Sequence, residues 1–346
     1  MIGNAAETVL QLIRKAVDNS CQIELSGDID WSGVIALASR QGVVALCLEA
    51  VEFLPTIVIP KQFLLQWIGL AEMQRNQYEQ AWRVACKLDK LWAANGIHAM
   101  VLKGRSIAQY YSVPSHRYSC DLDVFIEKEW EKACTLLDKQ GIRLVHEVYK
   151  EVEFTLDSVY VECHRYITPV RGNKHLKHFE RYLRSMLDDE CCASFEGSTL
   201  VCPPLMFIVM FYIEHALGDF LHGHLTLKHI VDWVVLRRQS VEWDTFKAKC
   251  KEFEFDKFLP LIDALADVVE GRMDYEDLQP SYKEAFNEIF IIPAAKSPRS
   301  WFGRRVELFF SILRNGKKYQ QFGYTSMQSF LFNSVWAHFF NKEVKL

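Results

Sequence analysis

The sequence has no apolar run long enough to cross a bilayer. The longest, Leu205–Ile213, is about half of what a membrane helix requires, and no membrane span is expected. A secretory leader is not expected either. The opening stretch MIGNAAETVLQLIRKAVDNS has no basic n-region and no cleavage site, and it reads as an amphipathic helix. The ten cysteines contain no C-x-x-C, and none stands at zinc-finger spacing to a histidine pair. A disulfide framework is thereby excluded. Several cysteines lie in apolar runs, where the side chain acts as a small hydrophobe. Reduced thiols, a reducing compartment and a cytoplasmic location are the expectation. The net charge is only −4, so the molecule as a whole is not an electrostatic binder of nucleic acid. There is no internal repeat and no low-complexity tract.

What is present is ordinary globular composition, 50% apolar and 24% charged over 346 residues, enough for two or three domains. Residues 1–95 read as helices, with apolar residues at three- and four-residue spacing in WSGVIALASRQGVVALCLEAVEFL and a longer pattern from about Gln62 to Ala94. The period changes at Gly96. IHAMVLKG reads as a buried strand, RSIAQYY as a short helix, SVPSHRYS as a loop, CDLDVFI as a strand and EKEWEKACTLLDKQG as an amphipathic helix. IRLVHEVY, EVEFTL and VYVECHRYI alternate like strands, with a turn at Asp157-Ser158. From Pro203 the helical period returns. The expectation is an α+β protein: a small mixed β-sheet core over 96–200, flanked by helical lobes over 1–95 and 201–346.

In CDLDVFI, Asp121 and Asp123 fall on one face of the strand, about 7 Å apart, with Leu122 and Val124 on the other. Two carboxylates held so close repel unless a cation lies between them. The natural occupant is a hard ion with oxygen ligands, Mg²⁺ or Mn²⁺. Glu162, flanked by Val161 and Cys163, offers a third carboxylate from a neighbouring strand, with Glu151 and Glu153 as competitors. Such ions share their shell with substrate phosphates and stabilise in-line displacement at phosphorus. The Lys103-Gly104 turn suits that chemistry. Glycine lets the backbone approach a phosphate, the following helix start directs N–H groups at an anion, and Lys103 and Ser106 add donors.

Taken in order, these segments resemble a bacterial nucleotidyltransferase family of the DNA polymerase β-like superfamily. Its LKG, its Y…P…R loop and its DIDLLV strand correspond to Leu102-Lys103-Gly104, to Tyr110, Pro114 and Arg117, and to Asp121–Ile126. Its acid-x-His strand is similar to Glu162-Cys163-His164, and its C-terminal H…RL…D helices resemble His215, Lys228 and Asp232-Trp233. The resemblance covers most of residues 30–235. It implies a nucleotidyltransferase core that moves a nucleoside monophosphate from an NTP to an acceptor hydroxyl, with release of pyrophosphate. The acceptor could be a small molecule, a protein or an RNA. The resemblance further implies catalytic and metal-binding roles for Asp121, Asp123 and Glu162, and nucleotide contacts from Lys103, Gly104, Arg105, Ser106 and Arg117. His164, His215, Lys228 and Asp232 become candidate substrate contacts. One departure stands out: the superfamily has Gly-Gly or Gly-Ser at the phosphate turn, and this chain has Gly-Arg, so Arg105 would contact phosphate instead.

For several residues a structural role competes with a functional one. Arg117 could bind phosphate or pair with a carboxylate to fix its loop. His215, His222, His224 and His229 match no zinc-ligand spacing and read as satisfied polar groups. The run Arg165, Arg171, Lys174, Lys177, Arg181 and Arg184 reads as a solvated helix face. Residues 301–346, with seven Lys or Arg against two Glu, read as a basic surface, with docking of RNA or an acidic partner as the rival. For the whole chain the rival to an enzyme is a catalytically degenerate core that binds a nucleotide or a protein.

Overall fold

The computed structural model describes residues 3–25, 28–54, 57–147, 149–170, 173–187, 192–195, 197–291 and 315–323. Three helices lead the chain, α1 (Asn4–Val17), α2 (Trp31–Arg40) and α3 (Val44–Glu52). Asp30 caps α2, its carboxylate accepting from the Gly33 N–H at 2.9 Å. Next comes α4 (Lys61–Ala93), whose 33 residues make a rod of about 50 Å. Its first half belongs to the helical core through Trp67, which is fully buried and donates its indole N–H to the Val44 carbonyl. Its second half turns Val84, Ala85, Leu88 and Trp92 onto the back of the sheet. The same helix therefore serves two cores.

The sheet has seven strands in the order β3-β4-β5-β2-β1-β7-β6. They are β1 (Met100–Val101), β2 (Asp121–Phe125), β3 (Leu144–Glu147), β4 (Glu151–Leu156), β5 (Val159–His164), β6 (Ala193–Ser194) and β7 (Val201–Cys202). The pairs β2/β5 and β1/β7 are parallel and the rest antiparallel. The hairpin β4–β5 turns at Asp157-Ser158, both at positive φ, as a two-residue hairpin loop demands. On the back face Leu122, Val124, Val152, Phe154, Val161 and Cys163 pack with α4 and with Ala133 and Leu137 of α6 (Trp130–Lys139). Period-2 alternation then leaves the front face to the acids.

Two features depart from the sequence reading. IHAMVLKG yields only the two-residue β1, although the segment continues to pair: Leu102 N–H donates to the Asp123 carbonyl and Val201 N–H to that of Ala99. The sequence also gives no sign of β6 and β7, because two residues are too few to show a period.

The remaining helices are α5 (Arg105–Ala108), α7 (Lys174–Arg184), α8 (Leu205–His222), α9 (Leu227–Leu236), α10 (Trp243–Glu252), α11 (Leu259–Glu270), α12 (Pro280–Ile291) and a short one at Gly316–Phe322. Helices from both ends of the chain share one hydrophobic core. Arg14 of α1 caps the last turn of α11 by donating to the Val268 and Val269 carbonyls. Gln41 donates to the Ile289 carbonyl and accepts from Leu227 N–H. By length and composition α8 could cross a membrane, but 67% of it is buried inside this core. Among the described residues, Cys21, Cys47, Cys86, Cys120, Cys163, Cys202 and Cys250 are free thiols. In the basic run, Arg184 pairs with Glu180 at 2.8 Å and lies over the Phe125 ring, which makes it a packing residue. Arg171 and most of residues 301–346 lie outside the described residues, and so does the basic surface read there.

Candidate active site

The loop ahead of β2 is anchored from three sides. A 3₁₀ turn, Pro114–His116, is held to α3 by His116 and Ser112 on Glu49, and to α4 by Gln74 on the Ser115 carbonyl. Arg117 closes the set. It is 4% exposed and forks onto the 1% exposed Asp232 of α9, Nε to Oδ1 and Nη2 to Oδ2, both at 2.8 Å. Tyr111 donates to the same carboxylate at 2.6 Å, and Lys228 stands 3.8 Å from it. Arg117 and Asp232 therefore satisfy each other, and the pairing role prevails over a phosphate contact. Asp232 is the counterion of the loop. Both halves of that buried pair would otherwise be unpaired charges.

The register of β2 and β5 sets Asp123 directly beside Glu162. The β4–β5 register sets Glu153 beside Glu162 and Glu151 beside His164. The acids of three strands thus share the front face. His164, 1% exposed, has Nε2 at 3.1 Å from Asp123 Oδ1 and 3.6 Å from Glu162 Oε2, and its Nδ1 lies 2.8 Å from Glu151 Oε2. Ligand atoms of Asp123, Glu162 and His164 all lie within 4.8 Å of one another, close enough to share a cation. Asp121 stands outside that trio, its Oδ1 3.5 Å from the Ser119 hydroxyl. Glu153, the other competitor, is engaged by the Tyr160 hydroxyl.

Charge is crowded here, and the carboxyls respond differently. Burial and the neighbouring Asp123 carboxylate push Asp121 up. The same two causes push Glu162 up to about 7. Burial would raise Asp123 as well, but Lys103 and His164 outweigh it and hold that carboxyl well below its ordinary range. Lys103 Nζ is 3.1 Å from Asp123 Oδ1 and 5.8 Å above the Phe211 ring of α8. Burial acts to neutralise that ammonium, yet Asp123, Asp121 and Glu162 raise its pKa on balance.

Gly104 has φ of +60°, and a Cβ there would meet the Ser119 hydroxyl at 3.3 Å, so the turn requires glycine. The helix after it, α5, is a single turn of four residues, too short for the dipole expected from the sequence. Ser106 is fully buried and its hydroxyl donates to the Val101 carbonyl. It braces the turn and does not offer a donor to phosphate. The cleft at the turn is lined by Lys103, Gly104, Arg105, Ser119, Asp121 and Asp123, and by Tyr78 and Trp82 of α4. Ser119 was not singled out in the sequence, although its place two residues before Asp121 offered a signal. Tyr78 and Trp82 gave no sign, because nothing local ties α4 to the turn.

The histidines separate into two groups. His215 and His229 both place Nε2 near Asp219 Oδ2, at 3.3 and 3.1 Å. His229 Nδ1 accepts the Thr226 backbone N–H at 3.0 Å, which assigns the ring proton to Nε2 and to Asp219. A metal at Nε2 would need that proton on Nδ1, facing another N–H. The group is thus a satisfied polar network. His215 is kept neutral, burial and Lys103 pushing it down to about 3. His222 and His224 stack on each other instead.

The family follows from comparison. A family model described as uncharacterised nucleotidyltransferase matches residues 27–269. The chain belongs to that family. Among solved structures it is similar to the antibiotic-resistance factor ANT(2'')-Ia, with a TM-score of 0.37 and 11% identity over 51% of this chain and 93% of that one. No curated protein matches the chain. The nucleotidyltransferase match reaches well past residue 235, where the sequence resemblance stops, and takes in α10 and α11.

One buried acid near the nucleotidyltransferase face escaped the sequence reading. Glu214 of α8 is 6% exposed, and burial pushes it up to about 7 against Lys150 and Lys103. Its folded pKa stands above the ordinary glutamate value. It therefore costs no stability below about pH 4, and ionisation costs progressively more up to about pH 7. Glu214→Gln is expected to match the wild type near pH 4 and to exceed it by up to about 3 kcal/mol at pH 8. Urea unfolding at the two pH values measures this, and equal stability at pH 8 would refute it.

Proposed function

We propose that the protein transfers a nucleoside monophosphate from an NTP to an acceptor hydroxyl and releases pyrophosphate, with Mg²⁺ or Mn²⁺ held by Asp121, Asp123 and Glu162. The observation that carries this reading is the register that puts Glu162 beside Asp123, with Lys103 and Gly104 at the same end of the strand. The donor set fits a hard cation: carboxylate oxygens crowded enough to raise two of their own pKa values. When bound, the ion supplies charge neutralisation for the phosphoryl group in displacement.

The chain's own residues have separable tasks. Glu162, titrating at about 7, accepts the proton of the attacking hydroxyl. The acceptor oxygen then bonds to the α-phosphorus as the bond to the pyrophosphate oxygen breaks. His164, set between Asp123 and Glu151, fixes the orientation of Asp123. Gly104 admits the phosphate chain to the backbone.

The test is calorimetry with each NTP in Mg²⁺ and in EDTA, followed by detection of pyrophosphate and a labelled acceptor. NTP binding is expected only with the ion, because the acid cluster repels a bare triphosphate. Equal affinity in EDTA would sink the metal-dependent reading. One observation favours a second reading, a binding module: Lys103 already neutralises Asp123, and a cluster neutralised from within needs no ion. That module would bind its ligand equally well in EDTA.

A further inference from the structure

Three cations stand around the phosphate turn, and two of them have carboxylate partners. Lys103 pairs with Asp123 and Arg117 with Asp232. Arg105 is different. Its guanidinium lies 4.2 Å from the Trp82 ring centre and 4.8 Å from that of Tyr78. Its Nη1 is buried with no hydrogen-bond partner, and among the described residues no carboxylate or carbonyl meets the guanidinium. Tyr78 and Trp82 are four residues apart on α4 and so share one helix face. Aromatic faces attract a cation, but they accept none of the directed hydrogen bonds that five guanidinium N–H groups offer. A held, partly buried and unneutralised fork of donors lacks its anion. The cleft it lines contains Gly104, where the backbone is bare, and Asp121 and Asp123, which repel an anion that arrives without cations. A polyphosphate chelated to a divalent ion meets all three conditions. A carboxylate ligand meets only the first.

We infer that Arg105, clamped by Tyr78 and Trp82, is a ligand of the terminal phosphates of the NTP, and that the two rings are positioning residues. The inference rests on the nucleotidyltransferase reading. The α-phosphate must lie over Asp123 and Glu162, on the front face, for transfer to occur. Arg105 stands beside the Gly104 turn, over Tyr78 and Trp82 of α4, and lines the same cleft as Asp121 and Asp123.

Full-length protein with Mg²⁺ is titrated with inorganic tripolyphosphate, which carries the phosphate chain without a base, and separately with the NTPs. Arg105→Met should weaken tripolyphosphate binding about 10- to 100-fold, the scale of charge-assisted hydrogen bonds. Arg105→Gln serves if the Met variant does not fold. Trp82→Leu should weaken binding about 2- to 5-fold, and Trp82→Phe should restore it, because a ring and not bulk is needed. In turnover the Arg105 variants should raise KM for the NTP and leave kcat nearly unchanged. If the wild type binds tripolyphosphate and Arg105→Met or Arg105→Gln binds it equally, this inference fails and the nucleotidyltransferase reading stands. If Arg105→Met loses affinity but Trp82→Leu does not, the clamp is wrong. If the wild type binds neither tripolyphosphate nor any NTP with Mg²⁺, the reading falls and takes the inference with it.

Discussion

Asp121→Asn is expected to cut nucleotidyl transfer by about 100-fold or more while leaving the metal-free fold at least as stable as the wild type. Asp121 is held above its ordinary pKa by burial and by Asp123. A carboxyl raised on folding favours the folded state only below its unfolded pKa, and near pH 7 its charge is a net cost. Replacing it with Asn removes that cost. Asp123→Asn should abolish transfer equally but behave oppositely in stability. Its carboxyl is held well below the ordinary range despite burial, by Lys103 and His164. It therefore contributes stability above the unfolded pKa, which is lost as pH falls into the acid range. Without it, Lys103 loses the partner at 3.1 Å, and about 1–3 kcal/mol should be lost at pH 7. The check is denaturant unfolding in EDTA alongside transfer assays. Full transfer activity in Asp121→Asn would remove the acid from the mechanism.

The second large effect lies away from the reacting atoms. Asp232→Ala should cost about 3–5 kcal/mol, because it strands the Arg117 guanidinium in the interior. The two side chains are 4% and 1% exposed and meet through two bonds of 2.8 Å. Arg117→Met combined with Asp232→Leu should recover most of the loss, since an apolar pair carries no desolvation cost. Measured by urea unfolding, a single Asp232→Ala variant within 1 kcal/mol of the wild type would show that water reaches the guanidinium.

Much of this region was legible before the fold was known. The strand CDLDVFI and its alternation placed Asp121 and Asp123 on one face, and the hairpin turn at Asp157-Ser158 was readable from its residue types. Glu162 could be named as a third acid but not separated from Glu151 and Glu153 by residue pattern. All three do share the front face, and only strand register decides that Glu162 is the one beside Asp123. Ser106 reads as a donor to phosphate from its residue type, and Arg117 as either a phosphate contact or the partner of a carboxylate. Their partners, the Val101 carbonyl and Asp232, had no local signature.

What the sequence alone determined is therefore what a single segment can express. Side-chain alternation, helix period and the glycine at the turn are set by backbone geometry within a few residues. Only the tertiary structure decided which charges are neutralised. Asp121 and Asp123 are identical residues two positions apart, yet burial and neighbours drive their carboxyls in opposite directions. The groups responsible, Lys103 and His164, lie 20 and 41 residues from Asp123 along the chain. Arg117 and Asp232 are 115 residues apart. Such partners are chosen by how apolar faces pack across the whole chain, because only packing fixes which polar groups are left together in the interior.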